Sequence, residues 1–187
     1  MGSDDQLGFL IGGKVILRGA LREDMAAYRR WLDNPAVTEY LEMGWRPTSD
    51  AMLDETYEAL TNATDTAAFV MVNTATGRPV GTCGLYQIHW IARRAQFNIL
   101  IGEPDAWNKG LGTEALELLL EYGFERLNLN SIFLGVNADN KGAVRSYEKA
   151  GFVHEGCRRQ FVYRDGHYYE SLMMSVLQSE YRDQDRS

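Results

Sequence analysis

The stretch Trp107-Asn108-Lys109-Gly110-Leu111-Gly112-Thr113-Glu114-Ala115 constrains this chain more than any other. It follows Arg93 to Ile101, where Phe97, Ile99 and Ile101 alternate against Gln96, Asn98 and Leu100. That is the period of a strand. It opens a run from Gly110 to Leu127 in which Leu111, Ala115, Leu116, Leu118, Leu119, Tyr122 and Phe124 recur near helical spacing. Glycines at 110 and 112 let backbone N–H groups converge on one concavity. The helix adds its positive N-terminal end. The arrangement suits a pyrophosphate; a turn that uses glycine for geometry alone is the other reading. No Gly-Lys-[Ser/Thr] closes a Walker loop, and the dinucleotide fingerprint is incomplete.

The flanking segments set the fold class. Lys14 to Ala20 reads as a strand and Arg22 to Leu32 as a helix broken at Asn34-Pro35. Thr48-Ser49-Asp50 caps a helix carrying Met52, Leu53, Tyr57 and Leu60. Ala67 to Asn73 and Val80 to Ile88 form a hairpin around Thr74 to Pro79. Ser131 to Val136 is a buried strand, and Asn140 to Ala150 a helix stopped by Gly151. Phe152 to Tyr163 and Tyr168 to Leu177 are strands joined by the turn signal Arg164-Asp165-Gly166. This order predicts an α+β (mixed α/β) fold. A doubly wound dinucleotide fold is excluded, because the Gly-rich turn follows the fourth strand and not the first. One domain is expected over residues 1–187, with 1–12 and 182–187 as flexible tails.

With 187 residues, 45% hydrophobic, the chain has enough apolar material for one core. The net charge of -7 argues against a nucleic-acid partner and mildly favours a cationic small molecule. The pairs Arg93-Arg94 and Arg158-Arg159 read as solvated strand edges or local phosphate contacts. Cys83 and Cys157 lie in strand-like stretches without CxxC spacing, so buried free thiols are expected and a metal site is not. No run reaches the ~18 apolar residues that span a membrane. Leu7 to Leu17 lacks the basic lead of a secretory signal, and Gln6 breaks the myristoylation pattern. No membrane partner and a cytoplasmic location follow as expectations.

Asn108-Lys109-Gly110-Leu111-Gly112-Thr113-Glu114-Ala115 resembles the acyl-CoA pyrophosphate loop of the GNAT superfamily of N-acetyltransferases. The usual Arg or Gln at its start is replaced here by Trp107 or Asn108. Asn137 through Phe152 resembles the second motif of that family, with its Asn at a strand end, its helical Tyr and its Lys-x-Gly-Phe. Arg93 to Phe97, Tyr122-Gly123-Phe124, Leu127-Asn128-Leu129 and Gly166 to Tyr169 are similar to the RimJ/RimL-like branch and the spermidine N-acetyltransferases. The resemblance implies a mostly antiparallel twisted sheet of about seven strands, splayed between the fourth and fifth and flanked by helices. It implies acetyl-CoA as co-substrate, no metal, and transfer of acetyl to a primary amine by direct attack.

By that resemblance, Leu100, Ile101 and Gly102 would pair with pantetheine, and a backbone N–H there would stabilise the oxyanion. Lys109, Gly110, Leu111, Gly112 and Thr113 would hold the pyrophosphate, with Asn137 and Asn140 near the cofactor. Arg145 and Lys141 either meet the terminal phosphate or form a solvated helix face. Tyr147 matches the general acid that protonates the leaving thiolate. The base is open. Gln96 stands where relatives often carry Glu, leaving Glu103, His89, Glu155 or a water chain. Trp45, Trp90, Tyr86 and Tyr163 are candidates for the acceptor pocket or for core.

A small-molecule acceptor is expected: a polyamine, amino sugar or aminoglycoside. Acetylation of a protein N-terminus or lysine is the second enzyme reading. A non-catalytic acyl-CoA sensor and a structural domain that binds nothing are the readings from other classes. A homodimer or higher homo-oligomer is expected through last strands carrying Phe161, Tyr163, Tyr168 and Tyr169.

Overall fold

The period-two stretches of the sequence pair into one sheet. In the computed structural model, which describes residues 8–184, the strands are β1 (Leu10–Ile11), β2 (Val15–Arg18), β3 (Ala67–Asn73), β4 (Pro79–His89), β5 (Arg94–Ile101), β6 (Ser131–Asn137), β7 (Val153–Arg164) and β8 (His167–Leu177). Their spatial order is β1-β2-β3-β4-β5-β6-β8-β7. Every neighbouring pair is antiparallel except β5 and β6. The helices are α1 (Asp24–Leu32), α2 (Pro35–Thr38), α3 (Asp50–Asn62), α4 (Leu111–Glu121), α5 (Lys141–Lys149) and α6 (Gln178–Gln184).

The fold is the mixed α/β arrangement expected, with one strand more. Leu10–Ile11 pairs with Ile16 and Leu17 inside the span read as an N-terminal tail. Residues 1–7 of that tail, and 185–187 of the other, lie outside the described residues. Gln178–Gln184 continues β8 as a helix where a tail was expected from 182. α2 was also not foreseen. Asn34-Pro35 does end α1, but the Asn34 side chain then accepts from the Ala36 N–H and proline occupies the first turn. The residues that break one helix start the next.

Local signals fixed the other boundaries. Ser49 Oγ accepts from Met52 N–H at the start of α3, and Asn140 Oδ1 accepts from Ala143 N–H at the start of α5. Gly151 ends α5 with φ 88. Asp165 and Gly166, both at positive φ, turn β7 into β8 with Arg164 opposite His167, the geometry of a two-residue hairpin turn.

Two apolar layers cover the sheet. The larger holds Phe97, Leu116, Leu119, Phe124, Ile132 and Leu134, all at most 1% exposed. The smaller lies on the other face, where Met25, Trp31 and Leu53 meet Leu100. β5 serves both because alternate side chains point to opposite faces. Ala95 and Phe97 enter the larger layer, and Leu100 enters the smaller.

The position of the site follows from β5 and β6. They pair only through Arg94–Ser131, Ala95–Ile132 and Gln96–Phe133. Beyond Phe133, β6 keeps its pairing to β8 as far as Asn137–Ser171. The C-terminal half of β5 is therefore left with one bonded neighbour, β4, and an open edge.

Candidate active site

Two cavities meet at that open edge. One, of about 380 Å³, is walled by β5, the 107–113 loop, the start of α4 and one face of α5. The other, of about 810 Å³, is walled by β4, β5, β6, β7 and β8. Tyr40, Leu41, Ile99 and Leu100 line both.

Gly110, Leu111, Gly112 and Thr113 all line the smaller cavity. Gly110 has φ 80 and caps α4, a conformation in which glycine carries no Cβ penalty. Asn108, at φ 59, is a second left-handed residue of the turn. A Cβ on Gly112 would stand 3.0 Å from Ile101 Cδ1 and would narrow the space between loop and strand. An N-terminal segment braces this loop from outside. The Glu114 carboxylate accepts from the backbone N–H groups of Gly13 (3.1 Å), Lys14 (2.7 Å) and Val15 (2.8 Å). Lys14 Nζ lies 2.9 Å from where a Cβ on Gly110 would be. Loop, helix start and nearby ammonium together fit a pyrophosphate.

The open edge of β5 corrects one expectation. Gly102 N–H donates to Val80 O (2.8 Å), and a Cβ on Gly81 would overlap the Leu100 carbonyl oxygen. With Leu100 opposite Thr82, the even-numbered residues direct their backbone groups at β4. The residues with backbone facing the gap are therefore Ile99 and Ile101, not Leu100 and Gly102. The Ile101 carbonyl already accepts from the Trp107 indole N–H (2.9 Å). Gly102 does not line the cavity; the Trp31 ring fills the place of its missing Cβ.

Asn140 at the cap of α5, and Gly142, Ala143, Ser146 and Tyr147 within it, line the smaller cavity, neighbours at i+3 and i+4 on one helix face. Arg145 falls off that face and is exposed, and Lys141 Nζ donates to Ala138 O instead (2.7 Å). Lys109 also stays outside the lining. Asn137 is 8% exposed and lines the larger cavity, where its side chain accepts from Asp139 N–H. The Tyr147 ring packs edge-on to Phe97 (6.0 Å between centroids) and against Phe152 (5.8 Å). Burial pushes its phenol up to about 12.

The proposed bases are not brought to either cavity. Glu103 accepts from the Trp31 indole N–H (2.9 Å) and pairs with Arg30 and Arg78, which ties α1 to the sheet. His89 accepts from Ala92 N–H through Nδ1 in the β4–β5 turn. Glu155 accepts from Ser175 Oγ across β7 and β8. Glu42 is the one carboxylate lining the larger cavity. Among the aromatic candidates, Tyr86 lines that cavity, whereas Trp45, Trp90 and Tyr163 are 78%, 54% and 63% exposed. Cys83 is buried as expected, and Cys157 is exposed, a correction. α2 and the residues after it supply Val37, Glu39, Tyr40 and Leu41 to the walls. No sequence signal pointed to them beyond their place in a segment without a motif. Among the described residues no helix is long and apolar enough to cross a membrane.

The family model for the acetyltransferase (GNAT) domain matches residues 14–153. The spermidine N(1)-acetyltransferase of Escherichia coli K12 is 31% identical over 175 residues, covering 89% of this chain and 88% of that protein. The crystal structure of spermidine N-acetyltransferase from Vibrio cholerae in complex with CoA and spermine superposes with TM-score 0.82 at 29% identity, covering 91% of this chain and 99% of that one. A GNAT-family acetyltransferase from Bacillus anthracis, 17% identical, shares the fold with TM-score 0.77 over 91% of this chain and 98% of that one. The loop, the splayed strands and these likenesses agree: the chain belongs to the GNAT acetyltransferases and is an acyl-CoA-dependent N-acetyltransferase.

Proposed function

We propose that the acceptor is the primary amine of a small molecule held in the larger cavity, and that it attacks acetyl-CoA held in the smaller one directly. The observation that carries this reading is the shared wall. Ile99 and Leu100 line both spaces, so a thioester and an amine meet there without a covalent enzyme intermediate. Gly110 to Thr113 hold the pyrophosphate by backbone N–H groups, and Lys14 adds a nearby charge. Ile99 and Ile101 offer the strand edge to pantetheine, one N–H taking negative charge as the carbonyl is attacked. Asn140 caps α5 and keeps its wall in place, and Tyr147 protonates the leaving sulfur. Ammonium groups with a pKa of about 10 must lose a proton first, and Glu42, the exposed carboxylate on the wall of the larger cavity, is placed to pass it to solvent.

Likeness to spermidine acetyltransferases puts polyamines first among acceptors to assay, ahead of amino sugars and aminoglycosides, and favours the RimJ/RimL-like branch. The chain acts as one domain in the cytoplasm. It self-associates through β7, the outermost strand, at the hairpin end where Tyr163 of β7 and Tyr168 of β8 pack with rings tilted, 4.9 Å between centroids, and are more than half exposed. Light scattering should return a multiple of the chain mass; the mass of a single chain removes this proposal.

The test is release of CoA thiol from acetyl-CoA by purified protein with a panel of amines and basic peptides. Turnover with free amines is expected, together with a melting temperature raised by acetyl-CoA. Turnover with peptides alone would mark a protein acetyltransferase. A raised melting temperature without any turnover would mark a sensor.

A further inference from the structure

We propose that Arg164 is a positioning residue for acetyl transfer: it clasps the strap from Thr38 to Met43 in the place where that strap completes both cavities. The inference rests on the smaller cavity taking acetyl-CoA and the larger taking the amine.

The strap leaves α2 at Thr38 and runs outside any strand or helix to Met43. Glu39, Tyr40 and Leu41 line the smaller cavity, and Tyr40, Leu41, Glu42 and Met43 line the larger. Packing anchors one side of it, with Val37 buried and Leu41 set against the smaller apolar layer. Tyr40 and Met43 have no such hold and are exposed. A one-turn helix also leaves carbonyls without helical partners, so this segment needs donors from elsewhere.

Arg164, 126 residues on from Thr38, supplies them. Alternate residues of a strand face opposite sides. Tyr163 faces solvent, whereas the Arg164 side chain is 20% exposed and turned onto the strap. One guanidinium nitrogen donates to Thr38 O and reaches Leu41 O (3.3 Å) and Met43 O (3.4 Å). The other donates to Thr38 Oγ1 (3.1 Å). Thr38 is buried, and Gly44, at φ 81, folds back so closely that a Cβ on it would stand 2.6 Å from Thr38 Oγ1. The guanidinium thus ties both ends of the strap to one buried point. Charged donors make the stronger hydrogen bonds, and a planar fork serves several acceptors in a way an ammonium does not. A cation also suits carbonyls at a helix C-terminus. The Asp165 carboxylate, 3.6 Å from Arg164 Nε, is exposed and adds little.

Kinetics separate this role from one in stability alone. A purely structural loss lowers the folded fraction, so kcat falls and KM stays native; a loosened strap changes the walls of both cavities, so binding weakens. Arg164→Ala and Arg164→Lys are compared with Asp165→Asn, which keeps the clasp and tolerates the φ of 48 at that position. The readouts are backbone hydrogen exchange over residues 39–46, the Kd of acetyl-CoA by calorimetry, and kcat and KM with spermidine. In Arg164→Ala, exchange over 39–46 should quicken, and the acetyl-CoA Kd and spermidine KM should each rise about fivefold or more. Its kcat should fall by less than about threefold, because Tyr147 and the β5 edge lie outside the strap. Arg164→Lys should fall between Arg164→Ala and the wild type, and Asp165→Asn should match the wild type. Native exchange in Arg164→Ala overturns the clasp. Quickened exchange with native Kd and KM, or a loss of kcat alone, overturns the positioning role. If the wild type does not turn over spermidine, the polyamine reading falls; quickened exchange with a weaker acetyl-CoA Kd in Arg164→Ala then still supports the clasp.

Discussion

Replacing Tyr147 by Phe should lower kcat by about a hundredfold or more, within the range for loss of a positioned general acid. The KM for acetyl-CoA should change little, because the ring that lines the smaller cavity is kept. Its contacts to Phe97 and Phe152 are ring contacts, so the melting temperature should hold as well. Burial has pushed the phenol up to about 12, which keeps it protonated throughout the working range. A free thiol has a pKa of about 8.5, so transfer from such a phenol would be uphill if the sulfur sat in water. In the cavity the departing thiolate is also withdrawn from water, and desolvation raises its proton affinity too. Tyr147 therefore donates as the negative charge forms. For the wild type, kcat/KM should rise with pH towards the pKa of the amine, about 10. No falling limb from Tyr147 is expected until pH approaches about 12. A Phe variant with native kcat would remove the acid role, and a tyrosine-dependent falling limb near neutral pH would contradict the burial.

What the sequence made legible is local. Gly110 and Gly112 were readable because a left-handed turn feeding a helix demands small residues, and the structure finds Gly110 at φ 80. Ser49, Asn140 and Gly151 were readable as helix ends for the same kind of reason. What stayed hidden depends on register and packing. Period two separates the two side-chain faces of β5, but only its pairing to β4, Leu100 opposite Thr82, decides which backbone groups reach the gap. His89, Glu103 and Glu155 had the right chemistry, and each is held by a partner outside the cavities. The Arg93-Arg94 and Arg158-Arg159 pairs looked alike in sequence. Only Arg94 and Arg158 line the larger cavity, Arg94 from β5 and Arg158 beside the break in register that the bulge at Gln160 marks.

Replacing Glu114 by Ala should cost about 2–4 kcal/mol, because it leaves three backbone N–H groups without their charged acceptor. Full burial would make the loss larger; Glu114 is half-buried, and water recovers part of it. For a chain of this size each kcal/mol lowers the melting temperature by about 2–4 °C, so a fall of roughly 5–15 °C is expected. The effect should reach the site as well. Glu114 lies one residue beyond Thr113 in the first turn of α4, and the amides it holds, from Gly13 to Val15, bring Lys14 beside Gly110. Without the clamp that ammonium loses its anchor, and the KM for acetyl-CoA should rise while kcat falls less. There is an opposing force, since a carboxylate near a pyrophosphate site repels the ligand. Glu114→Gln separates the two, because it keeps an acceptor oxygen and removes the charge. If anchoring dominates, Gln should fall between wild type and Ala in both melting temperature and KM. If repulsion dominates, Gln should bind acetyl-CoA more tightly than the wild type. An Ala variant that melts at the native temperature would show that water replaces all three hydrogen bonds and that the clamp does not hold the loop.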